Sequence, residues 1–220
     1  MAAMSRIITY STADRADVVA FLGAAGRLTP DQRRRLDRAH EKARQRQADL
    51  DHQELDWGLS IPEALDHLLA GHADSEGSYA AGAYYAALQL IIDRNASDPS
   101  ELGVYSRPGT FFSGLDEELR KLGVSEELLF HDHLFSGPPP EIPFRIPHPV
   151  DGPHIGMFPL AQAGPAAAAY RAVLDRLDRG LRYDVMELIK MFESESEHWE
   201  YATEHLDWYS QDTIFFSIVG

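Results

Sequence analysis

The densest run of side chains able to bind a metal or move a proton is His131-Asp132-His133. Glu141, Arg145, His148, Asp151 and His154 follow it. Imidazole and carboxylate ligands together suit Zn2+ or Fe2+. On an extended segment an H-x-H pair turns both rings to one side, and a third ligand from the same loop would complete a set. The candidate divalent-metal ligands are therefore His131, His133, His148 and His154. No H-E-x-x-H motif accompanies them. The same histidines also suit a plainer role, capping helices and bonding to carbonyls freed by nearby prolines.

Two further constellations carry weaker signals. His198, Tyr201 and His205 lie along one helical stripe. The two histidines are two turns apart, about 10 Å along the axis, too far to share one ion; either could act as a base beside a carboxylate. Ser113-Gly114-Leu115-Asp116 reads as a helix start, where backbone N–H groups can hold an anion or simply be capped. No nucleotide-binding glycine motif, nucleophile elbow or Ser/His/Asp spacing is present.

Charge offers a different surface. The net charge is −15, which repels nucleic-acid phosphates and argues against DNA or RNA as partners. Tyr183 to Asp212 holds nine carboxylates against one lysine, Lys190. Glu193/Glu197 and Glu200/Glu204 are like charges four apart, an arrangement that opposes its own helix. It calls for positive charge, either internal or from a basic protein partner. The internal source would be the run Arg33, Arg34, Arg35, Arg38, Lys42, Arg44 and Arg46, which is expected to supply the main compensation. The candidate partner-binding residues are Glu193, Glu197, Glu200, Glu204, Trp208 and Tyr209.

The elements that must position these groups follow from periodicity. Val185, Leu188, Ile189, Phe192, Trp199, Ala202 and Leu206 form one face of a long helix. Thr213 to Val219 is β-branched and aromatic and reads as a strand. Such an apolar strand needs a neighbour, and Ile7 to Tyr10 is the expected one. Ala13 to Leu22 reads as a helix. Thr29-Pro30-Asp31-Gln32 is a capping box opening a mostly polar helix to about Leu50, and Ser60-Ile61-Pro62-Glu63 repeats the logic. Gly77 to Arg94 is the most apolar helix, with Tyr79 among its core residues. Asp98 to Phe112 reads as a loop, with a short strand at Val104-Tyr105. His154 to Phe158 is a further strand and Pro165 to Leu177 a helix. Seven prolines between Gly137 and Pro153 exclude regular structure there. Ile142, Phe144 and Ile146 alternate, however, so 137–153 is expected to be an ordered extended segment packed on the body. The fold class expected is α+β: a predominantly helical single domain over 1–220, with a small sheet pairing the N- and C-terminal strands.

Two function classes are further bounded by composition. No run approaches eighteen apolar residues, so no membrane span is expected. The start, Met-Ala-Ala-Met-Ser-Arg, lacks an apolar signal region, which points to a cytoplasmic protein. The absence of cysteine excludes disulfides, thiol nucleophiles and cysteine-ligated metals.

A short first strand, a Trp followed by a Leu-rich helix ending in Gly, a late Ala-Tyr-Arg helix and a closing Ile-Val-Gly strand resemble the YfbM-like family of uncharacterised bacterial proteins. The residues concerned are Asp56-Trp57, Leu65 to Gly71, Ala169 to Leu174 and Ile218-Val219-Gly220. The chain is similar, more closely still, to a group of actinobacterial proteins through Leu134 to Pro139 and the tail from Asp207. The resemblance implies an α+β fold and no catalytic residues. The reading favours a soluble binding or interaction protein, immunity-type or regulatory, using its acidic face. The alternative is an enzyme or a metal or small-ligand binder built on loop 131–154. No cofactor is expected beyond a divalent metal at those histidines.

Overall fold

The computed structural model describes residues 5–77, 79–149 and 153–219. Its centre is a four-stranded antiparallel sheet made of β1 (Arg6–Ala13), β2 (Ser100–Tyr105), β3 (His154–Pro159) and β4 (Thr213–Val219), in the order β2-β1-β4-β3. The first and last strands pair as the sequence suggested, with Ile8 opposite Ile218 and Tyr10 opposite Phe216. β4 has a neighbour on both edges and is buried from Thr213 to Ile218. A strand covered on both faces reads as a continuous apolar run, which is what Ile214-Phe215-Phe216 announces.

Alternation along the strands sends side chains to two cores. Ala13, Ile155 and Phe215 face one cluster, packed by α1 (Arg15–Val19), α2 (Pro30–His52), α3 (Ile61–Ala70) and α4 (Ala80–Asn95). Ile8, Phe158, Ile214, Phe216 and Ile218 face the other, packed by α5 (Pro108–Lys121), α6 (Phe130–Leu134), α7 (Ala163–Val173) and α8 (Arg182–His205). The sheet is therefore the middle of three layers.

The capping signals are realised. The Gln32 N–H donates to Thr29 Oγ1 at 3.2 Å and the Thr29 N–H to Gln32 Oε1 at 2.9 Å. Only Ala39 and Ala43 of α2 are buried, so it lies on the surface. α4 is buried along most of its length, but Tyr79 stands before it, exposed, not in the core. In the Pro-rich stretch Ile142, Phe144 and Ile146 alternate with exposed residues and pack against the α1–α4 cluster; Val150, Asp151 and Gly152 lie outside the described residues.

Three boundaries differ from the sequence reading. α1 ends at Val19 and gives way to turns. The stretch read as a loop contains β2 over six residues, its burial pattern too exposed to show alternation. α5 begins at Pro108 rather than at Ser113, with Pro in the first turn, where its missing N–H costs nothing. Ser113 and Asp116 are thus mid-helix, and no anion site exists at that point. Asp116, buried, instead accepts the N–H groups of Phe130 at 3.0 Å and His131 at 2.8 Å. It caps the first turn of α6 from a neighbouring helix. Burial holds its carboxyl above the ordinary value, although the two amide donors pull the other way.

Candidate functional site

α8 lies over the α5–α8 core with Val185, Leu188, Ile189 and Phe192 buried. Beyond Phe192 the helix continues for more than three turns, and there its outward side carries charge. Glu197, Glu200, Tyr201 and Glu204 recur at three- and four-residue steps and are exposed. Glu200 Oε1 accepts the Ser196 hydroxyl at 3.2 Å. Among the described residues no cation pairs with Glu197, Glu200, Glu204 or Asp207. Tyr201 is 62% exposed and stacks on His205 with ring centroids 4.3 Å apart. Trp208, 76% exposed, extends the face past the helix end.

The turn that presents Trp208 is pinned from behind. Gln211 Oε1 accepts the hydroxyls of Thr12 at 2.7 Å and Tyr209 at 3.2 Å. Trp199 Nε1 donates to the Gln211 carbonyl at 3.1 Å. The Asp212 carboxylate accepts the Arg15 N–H and the Thr213 hydroxyl. Trp208 is thus displayed from a fixed base.

One member of the expected acidic surface, and a neighbouring glutamate, have other duties. Glu193 is bound by Arg171 of α7, whose Nη2 reaches both carboxylate oxygens at 2.6 and 2.7 Å. Glu195 is half-buried. Burial raises its carboxyl, against the pull of His198; burial first, and the Glu195 charge second, raise the phenols of Tyr10 and Tyr209. Tyr209 is half-buried, so the exposed face consists of Glu197, Glu200, Tyr201, Glu204, His205, Asp207 and Trp208.

The compensation expected from the basic run is absent among the described residues. Arg34 and Arg35 bind Asp31 of their own helix, and Arg46 binds Asp93 of α4. No ion pair joins α2 to α8, because the sheet stands between their layers.

The histidines of the 131–154 loop do not converge. His131 and His133 lie on α6, not on an extended segment, so residues two apart point in different directions. His131 Nδ1 faces Asp132 at 3.0 Å. Both ring nitrogens of His133 face carbonyl oxygens, of Met157 at 3.1 Å and Glu127 at 3.0 Å, and direct no lone pair at a metal. His148 Nδ1 faces the Pro149 carbonyl. The Phe135 ring stands between His131 and His154, 5.1 Å from one and 5.5 Å from the other. His148 and His154 pack ring against ring at 5.6 Å, with Tyr85 beyond. His131, His154 and His148 are thus part of an aromatic ladder, His133 packs on Phe158, and among the described residues the four histidines form no metal-ligating group. A shallow pocket of about 150 Å3, lined by Tyr10, Glu101, Leu102, Glu187, Lys190 and Met191, is below the size that encloses a drug-sized ligand.

The described residues that do bring metal-ligating atoms together are His67, His72 and Asp74. Their signal in the sequence was Leu-Ala-Gly-His after a helical run: a C-terminal Gly folds the next residue back over the last turn.

Residues 4–217 match the model of a family described as "Domain of unknown function (DUF7691)". No curated protein and no solved structure matches the chain.

Proposed function

The chain belongs to the DUF7691 family, and we propose that it is an interaction protein, immunity-type or regulatory, whose α8 face captures a basic protein segment in the bacterial cytoplasm. The observation that carries this reading is the pairing of uncompensated carboxylates with a displayed tryptophan. Among the described residues Glu197, Glu200, Glu204 and Asp207 have no cation, and Trp208 is exposed beside them. Exposed carboxylates steer a cationic partner and make its association sensitive to salt. Trp and Tyr, with Arg, are enriched among the few residues that dominate binding energy at interfaces. No described helix is long and apolar enough to cross a membrane. Kinship with the YfbM-like proteins belongs to the same proposal, and a profile comparison of the two families would test it.

The experiment is photo-crosslinking in cells from a benzoylphenylalanine placed at position 208, with the captured protein identified and its binding reconstituted. The expected result is one basic protein, bound more weakly as salt rises and lost when Glu197, Glu200 and Glu204 are reversed to Lys. An unchanged crosslink in the triple variant, or none at all, would refute the reading.

A further inference from the structure

His67 lies in the last turn of α3 and His72 just beyond it. Gly71 between them adopts φ 91°, open to glycine and strained for other residues. The Gly71 N–H donates to the Leu68 carbonyl and the His72 N–H to the His67 carbonyl, at 3.2 and 3.1 Å. This is the Schellman closure, which sets the second residue past a helix against the residue one turn back. An apolar pair commonly occupies those two places. Here both are imidazoles, with ring centroids 4.5 Å apart. The helix end is fixed from the other side as well, since Gly23 and Ala25 donate to the carbonyls of Leu68 and Leu69.

Asp74 completes the corner, its Oδ1 2.7 Å from His72 Nδ1. Behind His67 stands Tyr84 of α4, fully buried, its hydroxyl 2.9 Å from His67 Nδ1. That hydroxyl also accepts the Ser75 N–H at 3.1 Å, which ties the loop carrying Asp74 to the same core group. A phenol oxygen has two lone pairs and can accept from both. In the tautomer whose Nδ1–H points to Tyr84, Nε2 keeps the lone pair, the arrangement that metal-bound histidines generally show.

We propose that His67, His72 and Asp74 form a binding site for a borderline divalent cation of the Zn2+ class, with Tyr84 positioning His67 from behind. One donor atom of each residue lies within 4.8 Å of the other two. Tetrahedral bonds of about 2.0–2.2 Å need donors roughly 3.3–3.6 Å apart, so the widest gap must close by about 1.5 Å at most, while the 2.7 Å contact of His72 Nδ1 with Asp74 Oδ1 must open where those two atoms serve. The required movement falls on Asp74, 80% exposed, and His72, 43% exposed. Two nitrogens and a carboxylate oxygen favour zinc over the oxygen-seeking Mg2+ and Ca2+. Three protein ligands leave the fourth position to water or an outside group. The site lies in the α1–α4 layer and is independent of the α8 face.

Tag-free protein, stripped with a chelator, would be titrated with Zn2+ in a calorimeter, and with Co2+ by visible absorption. The expected result is one Zn2+ per chain and the strong visible bands of four-coordinate Co2+. His72→Ala and Asp74→Asn, both surface changes, should each weaken Zn2+ about tenfold or more and abolish the Co2+ bands. Tyr84→Phe should weaken Zn2+ by about 10–100-fold, the usual range for groups that orient a ligand, and a thermal melt would show that the fold survives. His131→Ala should leave the binding unchanged. Absence of Zn2+ uptake at about 100 μM, that is, binding weaker than about −5.5 kcal/mol, would overturn the proposal. So would full binding by a His72→Ala/Asp74→Asn double variant.

Discussion

The two helical layers fill their cores in opposite ways. The α1–α4 layer packs small residues closely: Ala80, Ala83, Ala87, Ala39, Ala43 and Ala64 are all buried, and the Trp57 ring lies over Gly82. The α5–α8 layer packs rings. Phe130 meets Phe112, Phe192 and Phe216 edge to face at 5.0–6.0 Å, and Phe158 lies 4.6 Å from Phe192. Helices with small residues can approach closely, and their backbones carry the contact; rings hold helices apart and fill the gap themselves. The layers also differ in charge, with the basic run on α2 and the acidic run on α8. Since the sheet separates them, each balances part of its charge within its own layer, and the excess acid remains at the surface of one side.

This contrast can be tested at both ends of the energy scale. Phe192→Ala removes a ring that touches three others and should cost about 3–5 kcal/mol, measured by urea denaturation. A loss below about 1 kcal/mol would mean that the layer can collapse around the gap and that the ring network is not its skeleton. Ala83→Leu makes the converse change in the close-packed layer and should cost about 1–3 kcal/mol through overpacking; an unaltered midpoint would reveal spare room beside α4. The smallest effect is expected from replacing Arg34, Arg38 and Lys42 together by Gln. These exposed side chains make at most a local pair with Asp31, so stability should change by less than about 0.5 kcal/mol. A larger drop, reversed by salt, would show that the two charged helices communicate across the sheet after all.

Much of the framework was legible because local chemistry and tertiary position agree there. Thr29-Pro30-Asp31-Gln32 caps α2 as its residue types require. The alternation of Ile142, Phe144 and Ile146 survives among prolines because packing, not backbone pairing, sets it. The misplaced start of α5 came from weighting Ser113 as a cap over Pro108 as a first-turn residue. His131 and His133 misled because five helical residues leave no periodicity to detect, and Asp116, which fixes that helix, is distant in sequence. The His67 corner escaped for a related reason: Tyr84 joins it only through the packing of α3 on α4.

The order β2-β1-β4-β3 has a consequence in time. β4 is the strand between β1 and β3, yet it comes from residues 213–219, about two hundred residues after its partner β1. During synthesis the helices of both layers and the β1–β2 pair are available long before the strand that must divide them. Until it arrives, two strand edges and two greasy layer faces have nothing to cover them, and closing so long a loop is a slow step. The nascent chain therefore passes through its most adhesive interval with residues 1–212 already made, and its yield in a cell rests on how quickly one seven-residue strand finds its slot.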